Sequence, residues 1–182
     1  MEQAHQLVTT KANNSLNFIR RNINIPNIQV KEQAYKSLVR PLLEYAQVVW
    51  DPYTDELVGQ LEAVQRRAAR FVMNRYRRTS SVDAMLSTLD WPLLAERRNA
   101  ARLHMFWKIQ HNIVATAMPL ESKGYLEPTR FENSLAYHRP PARTDYYKNS
   151  FFVRTVSSWN KLPESTVQAS SLDAFKRALL DR

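Results

Sequence analysis

The sequence predicts an all-α protein: an irregular helical bundle of about six to seven helices with one long loop that contains proline. Three observations predict this class. Only two of the 182 residues are glycine, which disfavours tight hairpins and phosphate-binding turns. Apolar residues recur at helical spacing along most of the chain. The hydrophobic fraction of 44% is close to that of globular proteins and is sufficient for a core.

Two helical regions are predicted in the first 50 residues. The first covers residues 4–20, where apolar side chains follow the helical period, and Pro26 lies in the turn after it. The second covers residues 30–50 and is apolar nearly all round, which predicts burial on several sides. Pro41 is expected to kink this region or to split it into two pieces.

A third helix is predicted over residues 54–75, with Asp51 as its N-cap and Pro52 at its first helical position. Its apolar side chains form one stripe, which predicts a core-facing side. The opposite side carries arginines. The stripe consists of Leu57, Leu61, Val64, Ala68, Phe71 and Val72.

Two similar capping boxes begin later helices, one at Ser80 and one at Ser170. Between them we expect a long helix to about residue 112, a loop over 117–141 and a helix to about residue 160. The predicted organisation is therefore a helical bundle (1–116), a loop or linker (117–141) and a C-terminal helical segment (142–182) that packs on the bundle.

The positive charge is concentrated in the middle of the chain. The net charge is +9, and residues 66–78 hold six arginines and no acidic residue. Guanidinium groups at this density repel one another, and phosphates neutralise them well through paired hydrogen bonds. We therefore expect nucleic-acid contacts here. The residues are Arg66, Arg67, Arg70, Arg75, Arg77 and Arg78.

A second basic group, Arg97, Arg98 and Arg102, lies near the start of the long helix and is a further candidate for nucleic-acid contact. The alternative for the first group is a solvated surface whose arginines pair with acids of the same chain, and the alternative for the second group is an ordinary charged helix face. The acids considered for the first group are Glu44, Asp51, Asp55 and Glu56.

The sequence contains no motif for catalysis, metal binding or a cofactor. It has no cysteine, and no metalloprotease, esterase or P-loop motif is present. His104 and His111 are expected at the edge of the core. The aromatic run Tyr146, Tyr147, Phe151 and Phe152 is expected to be buried in the core, and base stacking, with Tyr146 and Tyr147 as its candidates, is the other interpretation considered. No apolar run is long enough for a membrane span, so the partner is expected not to be a membrane and the location to be intracellular, in the nucleus or cytoplasm.

Five segments, in this order, resemble the C-terminal region of non-LTR retrotransposon (LINE) reverse transcriptases of the jockey and CR1 type. The likeness covers nearly the whole chain and is weakest at 117–140. The segments are YKSLVRPLLEYAQVVWDP (35–52), LEAVQRRAARFV (61–72), SSVDAMLSTLDWPLLAERRNAARL (80–103), RTDYYKNSFFVRTVSSWNKLP (143–163) and SSLDAFKRAL (170–179).

The resemblance implies a thumb-like region and a helical extension that follow the polymerase palm and grip the template–primer. The polymerase turn of that family, an aromatic residue followed by Ala-Asp-Asp, is absent, so the chain is expected not to polymerise alone. The partner is expected to be RNA or an RNA–DNA duplex, bound with little sequence specificity, and also the palm. An alternative is a protein-interaction or structural module that docks on the palm or on another partner.

Overall fold

The computed structural model describes residues 2–123 and 133–180, and its regular secondary structure is helical. The one pairing of β type among these residues is an isolated bridge between Ser122 and Tyr137. The predicted all-α class is therefore confirmed. The helices are α1 (Glu2–Asn22), α2 (Ile28–Leu38), α3 (Arg40–Glu44), α4 (Gln47–Trp50), α5 (Asp55–Met73), α6 (Val82–Thr88), α7 (Leu94–Gln110), α8 (Asp145–Lys148), α9 (Phe151–Trp159), α10 (Glu164–Val167) and α11 (Leu172–Leu180).

The predicted number of about six to seven helices agrees with the number of longer helices in the structure. Within the described ranges, α1, α2, α5, α6, α7, α9 and α11 have seven or more residues each. The helices α3, α4, α8 and α10 have only four or five residues and were not predicted as separate elements. Single helical turns carry too little periodicity to be recognised in a sequence.

The chain divides into two compact units, Met1–Arg98 and Asn99–Arg182. The division lies within α7, whereas the sequence had suggested a linker at 117–141. Part of that predicted loop, with Pro128, lies outside the described residues. The expected packing of 142–182 on the bundle stays a prediction.

In the first unit, α5 is the central helix and packs against α1, α2 and α6. The rings of Tyr35 and Trp91 stack with a centroid distance of 4.3 Å, and the Trp91 Nε1–H group donates to Glu32 Oε1 at 3.1 Å. Burial of these large apolar surfaces stabilises the unit.

The second unit has its own aromatic core around Trp159, which is fully buried. Phe106 and Phe175 lie at centroid distances of 4.9 and 5.8 Å from the Trp159 ring. The Trp159 Nε1–H group donates to the Leu135 carbonyl at 2.9 Å, so the indole is both packed and hydrogen-bonded. Trp50, Trp91 and Trp107 are buried as well, as expected of core residues.

The predicted break at Pro41 is confirmed, because α2 ends at Leu38 and Pro41 lies in the first turn of α3. The burial expected on several sides of region 30–50 is wrong for four of its large hydrophobic residues. Val30, Leu38, Tyr45 and Val49 are 43%, 48%, 81% and 79% exposed. The region is split into three helices, so its hydrophobic side chains do not share one buried surface.

Three predicted caps are shifted. Asp51 does not cap α5, which begins at Asp55, because the Asp51 carboxylate pairs with Arg98. The other two caps lie one residue later than expected. The Oγ atoms of Ser81 and Ser171 accept from the amides of Ala84 and Ala174, each at 3.2 Å.

Candidate nucleic-acid interface

The orientation of α5 separates a buried side from an arginine-bearing side. Gln65 is 2% exposed and bridges two elements of the first unit. It accepts from the Tyr35 hydroxyl at 3.3 Å, and its Nε2 donates to the Pro92 carbonyl at 2.9 Å. Because neighbouring helix positions differ by about 100°, Arg66 and Arg67 then point away from this core.

The side chains of Arg66 and Arg67 are exposed, and that of Arg70 is half-buried. Arg70 lies one turn beyond Arg66, so the three guanidinium groups share one end of the helix surface. The Arg67 Nε–H group donates to the Ala63 carbonyl at 3.0 Å, which holds this side chain along the helix. Its terminal nitrogens still have donors to offer to a ligand.

The turn after α5 carries the other three arginines. Asn74 adopts a left-handed backbone with φ of 51°, and the Arg75 amide donates to the Arg70 carbonyl at 3.1 Å. This is a Schellman-type helix end, which asparagine tolerates better than most residues. Arg75, Arg77 and Arg78 follow it and are all exposed. We call Arg66, Arg67, Arg70, Arg75, Arg77 and Arg78 the arginine surface.

The acids considered as internal partners of the arginine surface are held elsewhere. The Glu44 carboxylate is 2.6 Å from Arg97 Nε, and the Asp51 carboxylate is 2.9 Å from Arg98 Nε. Asp55 and Glu56 lie in the first turn of α5, at the other end of the helix. None of the ion pairs found among residues 2–123 and 133–180 includes a member of the arginine surface.

The second predicted basic group does not form an exposed surface, which corrects the expectation for it. Arg98 and Arg102 are 2% and 5% exposed. Arg97 is partly buried in its ion pair with Glu44. The buried guanidinium groups are engaged within the protein, since Arg98 pairs with Asp51 and Arg102 Nη2 donates to Asn99 Oδ1 at 2.9 Å. We therefore leave Arg97, Arg98 and Arg102 out of the candidate interface.

Burial also shifts the titration of groups in the second unit. It lowers the pKa of Arg102 to about 10, and the nearby positive charge of Arg154 acts in the same direction. Burial lowers the pKa of His104 below its ordinary value, and the charges of Lys176 and Lys108 add to this effect. His104 is therefore neutral at pH 7, as suits a residue beside the Phe175 ring.

Three residues near the arginine surface, Tyr76, Arg20 and Lys31, were not among the site residues predicted from the sequence. Tyr76 is 52% exposed, and Arg20 Cζ lies 5.8 Å from the centroid of its ring. Lys31 Nζ lies 4.9 Å from the centroid of the Phe71 ring. Arg20 is more than 50 positions from Tyr76 in the sequence, so no local pattern relates the two.

Tyr146 and Tyr147 lie on α8 of the second unit and are 68% and 45% exposed. Their rings are thus open to solvent, whereas Phe151 and Phe152 pack against the aromatic core. The burial expected for the two tyrosines is wrong. Base stacking by them stays a prediction.

The histidines lie in aromatic surroundings. His111 stacks on Trp107 with a centroid distance of 3.7 Å, and its Nδ1 lies 2.9 Å from the Trp107 carbonyl oxygen. Among the residues that the structure describes, no group of three or more His, Asp or Glu side chains is arranged to hold a metal ion.

Comparison with protein-family models, with curated proteins and with solved structures finds no match for this chain. None of the helices in the described part of the chain has both the length and the apolar character needed to cross a membrane.

Proposed function

We propose that this chain binds nucleic acid without catalysing a reaction, and that the arginine surface contacts the phosphates of an RNA or RNA–DNA duplex. One observation carries the proposal: six arginines close in sequence have no carboxylate partner among the described residues. Unneutralised guanidinium groups repel one another, and phosphodiesters relieve that repulsion while releasing condensed counterions.

The form of the arginine surface favours backbone contacts over base reading. Its residues lie on one end of α5 and on the following turn, so they offer a patch of charge and not a helix that enters a groove. Phosphate contacts of this type position a duplex and carry no sequence information. The resemblance of five segments to non-LTR reverse transcriptases supports a template–primer or element RNA as the ligand.

Charge reversal tests this function. The variant Arg66→Glu, Arg67→Glu, Arg70→Glu is compared with a control of equal charge change at three exposed positions, Lys11→Glu, Arg139→Glu, Arg177→Glu. We expect the first variant to weaken binding to two unrelated RNA–DNA duplexes at least tenfold and equally, and the control to change it about twofold. Fluorescence anisotropy at low salt measures the Kd, and circular dichroism verifies the fold. Equal affinities of both variants and the wild type would falsify the proposal.

A second candidate function is docking on the polymerase palm or on another protein. Tyr45 and Val49 are 81% and 79% exposed in the first unit, and large apolar side chains in contact with water favour association. Full affinity of the charge-reversed variant for nucleic acid would favour this docking function over the binding function proposed above.

A further inference from the structure

Tyr76 differs from the other exposed aromatic residues because charged side chains and open depressions surround it. Its ring contributes to two depressions of the first unit, of about 200 and 340 Å³. Arg20 and Lys31 line the smaller one, and Arg75 and Arg77 line the larger one. Tyr76 thus lines two depressions that also carry basic side chains.

The two faces of the Tyr76 ring are not equivalent. Arg20 lies over one face at 5.8 Å, a gap too narrow to admit a second aromatic ring. Arg20 belongs to the smaller depression and not to the larger one. Tyr76 also lines the larger depression, so a planar group bound there can reach the Tyr76 ring without displacing the Arg20 guanidinium.

The larger depression has the size and chemistry for a single nucleotide. Its volume of about 340 Å³ lies at the lower end of the roughly 300–1,000 Å³ of ligand pockets. Ser80 and Ser81 supply hydroxyl groups near its rim, and Arg75 and Arg77 supply donors for a phosphate. The Ser80 amide donates to the Arg77 carbonyl at 3.0 Å, which gives the surrounding turn a defined shape.

We infer that Tyr76 stacks on an unpaired base next to a duplex held by the arginine surface, so that the chain prefers a duplex with a single-stranded end. This inference rests on the proposed function, because Arg75 and Arg77 belong to both surfaces. An aromatic platform between phosphate-binding arginines is how proteins commonly hold unpaired nucleotides. Any base can stack there, so no sequence preference is expected.

The test uses the full chain and two RNA–DNA duplexes, one blunt and one with a short single-stranded end whose first unpaired base is 2-aminopurine. We expect the wild type to bind the second duplex about tenfold more tightly and to quench the 2-aminopurine emission. Tyr76→Ala should lose the preference and the quenching, and Tyr76→Phe, which keeps an aromatic face for stacking, should retain the preference. Tyr53→Ala, another exposed tyrosine of the same unit, is the matched control and should behave as the wild type.

Failure of the inference is distinguishable from failure of the proposed function. If the wild type binds both duplexes equally, or if Tyr76→Ala keeps the preference, while reversal of Arg66, Arg67 and Arg70 still weakens binding, only the stacking site is refuted. If that reversal leaves binding to both duplexes unchanged, the nucleic-acid function itself fails. Retained affinity of Tyr76→Ala for the blunt duplex separates loss of the stacking site from misfolding, and retention of the preference by Tyr76→Phe shows that the ring is required and the hydroxyl group is not.

Discussion

Two neighbouring arginines of α7 have opposite environments. Arg98 is buried in an ion pair with the equally buried Asp51, whereas the side chain of Arg97 is 29% exposed beside Glu44. A buried charge depends on its partner, because removal of that partner leaves the charge uncompensated in the low-dielectric interior. A partly solvated pair contributes far less. Adjacent residues of one type therefore have different roles in stability.

We expect Arg98→Ala to lower the free energy of unfolding by about 3–5 kcal/mol, since it leaves the Asp51 carboxylate buried without its ion-pair partner. Arg97→Ala, the matched control, should lower it by about 1 kcal/mol or less, because Arg40 remains 3.5 Å from Glu44. Urea denaturation followed by circular dichroism measures both values. Equal losses in the two variants would contradict the assignment of Arg98 as a structural residue.

At the scale of the element, α5 has one side that faces the core and one exposed side, which is acidic at the start of the helix and basic at its end. Asp55 and Glu56 lie in its first turn and Arg70 in its last, an order that complements the helix dipole. Gly59 lies between these ends on the exposed side. A Cβ atom added there would meet nothing within 4 Å, so the glycine is not required by packing.

Gly59→Ala should raise the free energy of unfolding by about 0.5–1 kcal/mol, because glycine loses more backbone entropy than alanine inside a helix. Ala63→Gly, at a half-buried position one turn further along α5, is the reverse control and should lower it by at least a similar amount. Both are measured by urea denaturation. Loss of stability in Gly59→Ala would show that the backbone at this position is not that of a regular helix.

At the scale of the whole molecule, the basic residues behind the net charge of +9 are not equally accessible to a ligand. Arg98 and Arg102 are buried, and the arginine surface is concentrated on α5 and the turn after it. Net charge alone gives general attraction to polyanions, while a local patch fixes where they bind. Binding should therefore depend on the local patch more than on the total.

We expect the association constant for an RNA–DNA duplex to fall steeply with salt, with a logarithmic slope of about −5 if all six arginines of the patch contact phosphates. Reversal of Arg66, Arg67 and Arg70 should make this slope shallower by about 3 units. Anisotropy titrations between about 50 and 200 mM salt measure both slopes. A slope near zero for the wild type would exclude binding through phosphates.

Local regularities were predictable from the sequence. The long helices follow from hydrophobic periodicity, and Pro41 indicates the break between α2 and α3 because proline cannot continue a helix. A prediction was wrong where a contact with a residue distant in the sequence determines the local structure. Asp51 has the features of an N-cap in the sequence, yet in the fold its carboxylate lies against Arg98, 47 positions away.

The sequence by itself determined the all-α class, the positions of the long helices and the density of arginine between 66 and 78, since these depend on spacing and composition. Only the tertiary structure decided which arginines face solvent and which are enclosed. It put Arg98 against Asp51 and Arg20 over Tyr76, and it left the arginine surface without a carboxylate partner among the described residues. Burial and pairing of a charge depend on groups that are distant in the chain and close in space, and local sequence patterns do not record that proximity.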